Sequence, residues 1–264
     1  MKFTLIKHFC YILKIFLITL WKVWFFFINI LLVLFSIISI PFLFSNKYYP
    51  IVYKIHRIWG KFSLLLSGIS YEVEKKEEID KDQTYIVIAN HRSIIDIMLI
   101  YALVKKPLCF IGKSQLSKLP LFGYIYKKSN ILVDRQDRSS RIRAFKEAQI
   151  RLDHNQNVCL FPEGGIPKKS KGLLGKFHDG AFALAIEKQL PILAFSIVDT
   201  NAILPYNFFK GGPGKIYVRQ LPFISTKGLD PKKDKSALKE KVYHMMYDEL
   251  KASKKELLEF EKWT

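Results

Sequence analysis

Apolar and polar positions divide this chain into two unlike parts. Up to Phe44 apolar residues run almost unbroken; beyond Tyr71 they come in short runs separated by polar turns. Val23 to Phe44 is 22 residues without a charge, about 33 Å as a helix and long enough to span a bilayer. Asn29 and Pro41 are its awkward members. Phe3 to Trp21 is also apolar but holds Lys7, His8 and Lys14. The whole is too long and too lysine-interrupted for a cleavable signal peptide, and no small-residue cleavage site follows. Two arrangements fit: a single span preceded by an amphipathic surface helix, or a two-helix hairpin dipping into one leaflet with Lys14 and Lys22 snorkelling. We expect the hairpin, inserted without a full crossing, with Trp21, Trp24, Tyr48 and Tyr49 as interfacial anchors. Residues 47–70, with Lys47, Lys54, Arg57 and Lys61 among apolar positions, read as a helix lying against the membrane.

From Tyr71 strand and helix patterns alternate. Strands are expected at 71–75, 84–89, 108–112, 130–134, 157–161, 191–198 and 215–219, and helices at 94–104, 139–153, 178–188 and 235–259. Alternation with continuously apolar strands predicts an α/β fold with a largely parallel, mixed sheet flanked by helices. Asp230-Pro231 is a good start for the last helix, an N-cap followed by proline. The organisation expected is a membrane-associated helical module over 1–70 and an α/β domain over 71–264.

The formal charge of +19 is unevenly spread: residues 1–71 contain eight Lys/Arg and no acid, and Glu72 is the first carboxylate. Basic excess beside an apolar N-terminus points to an anionic membrane surface, at about 1 kcal/mol per residue near the headgroups. The positive-inside rule puts this flank and the following domain on the cytoplasmic side. Nucleic acid, the other standard partner of a basic chain, is not expected, because no nucleic-acid module is recognisable. Cys10, Cys109 and Cys159 sit in apolar runs and form no Cys/His cluster, so buried free thiols and no metal site are expected.

Chemistry enters with Ala89-Asn90-His91-Arg92-Ser93-Ile94-Ile95-Asp96. This segment lies where an apolar strand hands over to an apolar helix. His91 and Asp96 are five residues apart, about 500° on one continuous helix, so they meet only if His91 lies in the turn and Asp96 in the first helical turn. Ser93 with Asp96 also forms an S-x-x-D capping box. On spacing alone Asp96 is either a helix cap or the carboxylate that orients His91 as a general base. No protein nucleophile accompanies the pair; Ser93 has a competing capping role, so a substrate hydroxyl is the expected attacker.

Two further loops follow strands. Asp134-Arg135 could make a bidentate phosphate contact or a surface ion pair. Pro162-Glu163-Gly164-Gly165 is either a turn or a loop in which Glu163 bonds an acceptor hydroxyl and the glycines present amide donors to an anion. In parallel sheets ligands bind outside the carboxyl ends of strands, so these loops could converge with His91. Lys168, Lys169, Lys171 and Lys176 beyond them are a solvated run or a landing surface for an anionic group. His178 is the other histidine in a site-like stretch.

Taken together, Asn90-His91-x4-Asp96, Ile131-Leu132-Val133-Asp134-Arg135, Phe161-Pro162-Glu163-Gly164 and Leu190-Pro191-Ile192 resemble the four ordered motifs of the glycerolipid acyltransferases. The nearest match is the lysophosphatidic acid acyltransferase family. The likeness runs from about Tyr85 to Val198 and includes Gly112-Lys113, Pro120-Leu121-Phe122-Gly123, Phe177 and Gly180-Ala181. It implies the glycerolipid acyltransferase fold with an N-terminal membrane-inserted helical pair, and His91 as base with Asp96 orienting it. Asn90, Lys113, Arg135, Glu163, Gly164 and Gly165 would shape the substrate site. It further implies acyl transfer from acyl-CoA or acyl carrier protein to lysophosphatidate, with no cofactor or metal. The sequence departs at one point. The family's third motif usually continues Thr-Arg, where this chain has Gly165-Ile166; Arg135, Lys113, Lys168 or Lys169 could substitute, or the acceptor is another lysolipid, such as a lyso-aminolipid. A non-catalytic protein that binds anionic lipid is the reading from a different class.

Overall fold

The structure is a computed structural model that describes residues 2–166, 172–198 and 200–260. Its strands are β1 (Ile69–Lys75), β2 (Ile86–Ala89), β3 (Leu108–Lys113), β4 (Ile131–Val133), β5 (Asn157–Leu160), β6 (Ile192–Val198) and β7 (Gly214–Gln220). They form one sheet in the order β1-β7-β6-β2-β5-β3-β4. β2 and β6 are buried along their whole length, which is why they read as unbroken apolar runs rather than alternating ones. Edge-side β7 alternates, with Ile216 and Val218 in the core. Only β6 and β7 pair antiparallel; the other pairings are parallel. The sheet is therefore mixed and largely parallel, and the carboxyl ends of β6, β2, β5, β3 and β4 share one edge.

Helices α3 (Ile95–Leu103), α5 (Arg138–Asp153), α6 (Gly180–Glu187) and α8 (Lys235–Phe260) lie where the periodicity placed them. α3 is apolar on almost every side and buried accordingly. α8 sets Leu238, Val242, Met246 and Leu250, four residues apart, into the core. Two helices between α3 and β7, α4 (Phe122–Ser129) and α7 (Thr200–Ile203), were not expected. Both are short, and α4 has no side-chain cap.

The N-terminus differs from expectation. α1 runs unbroken from Lys2 to Phe35. It passes into a 3-10 stretch, Ser36–Phe44, that contains Pro41, and the chain returns as α2 (Tyr49–Leu66). The helical pair of this module is formed by α1 and α2: nothing around Lys22 can end a helix, and the first breaker is Pro41. The Trp21 and Trp24 indoles donate to the Ser67 and Leu66 carbonyls, each at 2.8 Å. Phe25 and Ile28 are buried, whereas the side chains described between Ile6 and Leu20 are exposed or half-buried. So it is the earlier part of the apolar run that stands free. By length and composition Ile6–Phe44 is apolar enough to cross a membrane, with mean hydropathy 2.6. Cys109 and Cys159 are buried free thiols, but Cys10 is exposed on α1.

α2 does not simply lie on a surface. Its Val52, Tyr53, His56, Gly60 and Leu64 are buried, and it is keyed to the domain by polar contacts. The Tyr49 hydroxyl lies 2.9 Å from the Leu108 and Ser129 carbonyls, and Tyr53 donates to Val104. Arg57, expected to face headgroups, donates to the Tyr101 and Ala102 carbonyls, where a cation complements the end of α3. Gly60 permits the close approach of α2 to α3, since a Cβ there would sit 2.7 Å from the Met98 carbonyl oxygen.

Candidate active site

β2 ends at Ala89 and the chain turns through Asn90, His91 and Arg92 before α3 begins. Asn90 fixes the turn. Its side chain donates to the Ile197 carbonyl at 2.8 Å and accepts from the Ile197 N–H at 2.7 Å. With both polar atoms engaged and the residue buried, Asn90 ties β2 to β6.

Asp96, fully buried, organises the corner. Its Oδ2 accepts from the backbone N–H of Arg92 at 2.6 Å and of Ser93 at 2.9 Å, and lies 2.9 Å from His91 Nδ1. Its Oδ1 accepts from the Thr200 hydroxyl at 2.7 Å. Half of the expected capping box is thus present. The other half is not: the Asp96 N–H goes to the Ser93 carbonyl at 3.2 Å, while Ser93 Oγ donates to the Leu204 carbonyl at 3.3 Å and accepts from the Ile95 N–H at 3.5 Å. One carboxylate oxygen therefore caps the turn and also bonds the His91 ring. Because that oxygen already takes two backbone protons, it acts as acceptor toward the ring, which places the histidine proton on Nδ1 and the lone pair on Nε2. Nε2 has no hydrogen-bond partner among the described residues. The ring stacks on Phe161, centroids 3.9 Å apart and planes 14° off parallel.

The loop after β5 closes on this corner. Glu163 Oε1 accepts from the His91 N–H at 2.9 Å, and Oε2 from the Gly175 N–H at 2.6 Å; Arg92 lies 3.7 Å away. The Glu163 carboxylate thus braces the histidine turn against the loop that carries Gly175, with one backbone N–H on each oxygen. Gly164 and Gly165 have φ of 82° and 149°, in the region that favours glycine. The Gly164 N–H is spent on the Phe161 carbonyl, while that of Gly165 has no partner among the described residues. A Cβ on Gly165 would sit 3.2 Å from an Arg135 guanidinium nitrogen, and one on Gly164 would meet the His178 ring at 2.9 Å. The missing side chains are what let Arg135 and His178 gather at this loop.

Arg135 is not held by its neighbour, because the Asp134 carboxylate accepts from the Gln136 N–H. Partial desolvation lowers the Arg135 guanidinium below its ordinary value, yet it stays cationic near neutrality. Burial pushes the adjacent Tyr126 phenol up to about 12. Lys113 ends β3 opposite Val133 of β4 and is exposed. Neither Lys113 nor Arg135 has a carboxylate partner among the described residues. Lys168, Lys169 and Lys171 lie outside the described residues; Lys176 is exposed. Among the described residues, no group of three or more His, Cys, Asp and Glu is placed to share a metal ion.

A cavity of about 200 Å³ opens beside the histidine turn. Arg92, Ser93 and Ile94 form one wall, Ile166 another, and Lys22 of α1 reaches in opposite Tyr206 and Phe208. Thr200, Lys22 and the Phe161 stacking escaped the sequence reading. Thr200 lies 104 residues from Asp96 and no local pattern marks it; Lys22, the last cation of an apolar helix, was a signal read only as snorkelling.

Comparison with known proteins fits this geometry. A family profile described as Acyltransferase matches residues 70–198. The chain is 31% identical over 198 residues to mouse 1-acyl-sn-glycerol-3-phosphate acyltransferase alpha, covering 73% of this chain and 68% of that protein. It is 28% identical over 203 residues to the 1-acyl-sn-glycerol-3-phosphate acyltransferase of Cocos nucifera, covering 76% and 64%. The matched region spans 59% of the Limnanthes alba relative's length. In three dimensions the chain resembles the crystal structure of the 1-acyl-sn-glycerophosphate (LPA) acyltransferase PlsC from Thermotoga maritima. The TM-score is 0.72 and the identity 26%, over 92% of this chain and 98% of that one.

Proposed function

Because the chain belongs to the 1-acyl-sn-glycerol-3-phosphate acyltransferase family, we propose that it transfers an acyl chain from a thioester to the free hydroxyl of lysophosphatidate, giving phosphatidate. The donor is acyl-CoA or acyl carrier protein. The observation that carries this reading is the His91 ring, 2.9 Å from Asp96 at Nδ1 and unpartnered among the described residues at Nε2. Nε2 takes the acceptor hydroxyl proton as that oxygen attacks the thioester carbonyl carbon. Asp96 steadies the imidazolium that forms. The tetrahedral oxyanion needs a donor, and the free Gly165 N–H is the candidate. Collapse breaks the C–S bond, and the imidazolium returns its proton to the departing thiolate. The sequence balances without a metal or cofactor.

Lys113 and Arg135, both without a carboxylate partner, supply the charge that an acceptor phosphate requires. Arg135 over Gly165 stands in for the arginine that this chain replaces with Ile166. That same replacement favours a second reading, an acceptor without a phosphate monoester, such as a lyso-aminolipid. We place the enzyme on the membrane through the 1–70 module, with the 71–264 domain on the cytoplasmic face; the acid-free basic flank supports this.

The test is transfer from labelled acyl-CoA, or acyl carrier protein, to lysophosphatidate by detergent-solubilised wild type and His91→Ala. We expect product from wild type and a loss of at least about 10³-fold in the variant, with membrane association intact. Near-wild-type rates in His91→Ala would sink the mechanism. Wild-type transfer confined to acceptors lacking the phosphate would select the second reading.

A further inference from the structure

The segment between α7 and β7 exposes three aromatic side chains in one short turn: Tyr206 is 68% exposed, Phe208 40% and Phe209 57%. Lys210 beside them is also exposed. The turn is built rather than loose. The Asn207 side chain accepts from the Phe209 N–H at 3.0 Å, its carbonyl from Lys210 N–H at 3.2 Å, and Gly212 N–H closes onto the Ile203 carbonyl at 3.0 Å. A clustered apolar patch on an ordered turn marks a contact surface.

What this turn is fastened to says which surface. Lys22 of α1 is buried, and its Nζ donates to the Pro205 carbonyl at 3.2 Å and the Asn207 carbonyl at 2.6 Å, 5.4 Å from the Phe208 ring centroid. The turn therefore sits at the level of α1 where the Trp21 and Trp24 indoles bond the end of α2, beside exposed Phe62, Leu65 and Leu66. Toward the N-terminus from that level, α1 exposes Ile6, Phe9, Ile12, Phe16 and Leu17. Beyond that level α1 also exposes Phe26, Phe27, Ile30 and Leu31; aromatic and lysine side chains beside a long apolar segment are the composition of a membrane-contact surface.

We propose that the Tyr206–Lys210 turn is a second membrane-contact element. It sinks its aromatic rings to the headgroup–acyl boundary beside α1 and sets Lys210 against anionic headgroups. This rests on the reading of α1 as membrane-inserted and adds a contact made by the α/β domain itself. It also ties membrane contact to chemistry. The far end of the same segment bonds the histidine corner through Thr200 to Asp96 and Ser93 to Leu204. Tyr206 and Phe208 line the cavity that Arg92 and Ser93 line from the other side. Docking the turn brings the mouth of that cavity to the bilayer, where a lipid acceptor arrives without crossing water.

The full-length protein, with Cys10→Ser, is labelled with an environment-sensitive fluorophore at Phe209→Cys, at Leu17→Cys on free α1, or at Lys241→Cys on the outer face of α8. Each is reconstituted in phosphatidylcholine vesicles with phosphatidylglycerol and spin-labelled quencher lipid. We expect quenching at 209 and 17 and none at 241. Quenching at 17 but not 209 overturns the proposal and spares the reading of α1; no quenching at either overturns both. Protection at 209 that follows protein density rather than quencher lipid would identify a second copy as the occupant, also overturning it. In activity, Phe209→Ser with Lys210→Ser should slow transfer to long-chain lysophosphatidate in vesicles roughly five- to tenfold. A water-soluble short-chain acceptor without vesicles should be unaffected; equal loss on both would place the turn's role inside the site.

Discussion

Two histidines are buried to nearly the same degree, His91 at 9% exposure and His56 at 7%, and the fold makes different things of them. His91 ends a strand, has a carboxylate on Nδ1 and leaves Nε2 open. His56 lies on the inner face of α2, its ring edge-on to Tyr101 at 5.4 Å and its Nδ1 without a partner. Burial alone pulls its pKa down to about 4, so it packs as a neutral ring. Exposure therefore does not separate a histidine with an open ring nitrogen from a core side chain here. The neighbour that the backbone delivers does.

The sharpest way to break the contrast is Asp96→Asn. The amide cannot accept from the ring and the Arg92 and Ser93 amides as the carboxylate does. We expect kcat at saturating acceptor to fall by about 10³-fold or more, with circular dichroism showing the fold retained. A rate above a tenth of wild type would mean that His91 does not depend on that oxygen.

His56 is probed through stability. An unfolded histidine titrates near 6.5, whereas the folded one resists protonation down to about 4. The unfolded chain thus binds the extra proton between those values, and stability, fully present above pH 6.5, falls as the pH drops through that window. The loss is roughly 3 kcal/mol at most. Denaturation of the solubilised protein at neutral and acidic pH should show a smaller acid loss in His56→Phe than in wild type; equal losses would deny His56 this role.

The smallest expected effect is at Thr200→Val, which removes one hydrogen bond from Asp96 Oδ1. About tenfold in kcat with little change in KM is expected. A change confined to KM would show the hydroxyl facing substrate instead.

Much of this was legible without the structure. β2 and β6 are buried along their whole length, so their apolar runs stand out, and each of the seven strands overlaps a stretch expected to be one. The reach of Asp96 back to Ser93 was readable because a capping box is local. α4 and α7 were invisible, being too short to show a period. That α1 runs straight through Lys22 was not evident, since a charged residue does not end a helix; the turn of the chain comes at the 3-10 stretch that holds Pro41.

Local rules of periodicity, capping and turn chemistry determined by sequence alone the strand runs, the turn bearing His91 and the long apolar N-terminus. The tertiary structure alone decided which groups His91 and Asp96 would meet. Glu163 braces His91 across 72 residues and Thr200 reaches Asp96 across 104. Lys22 holds the Pro205 and Asn207 carbonyls from more than 180 residues away. Parallel crossovers bring strand ends distant in sequence to one edge of the sheet. There, burial compels each polar group to find a partner, and which partner lies within reach is a property of the assembled edge rather than of any segment.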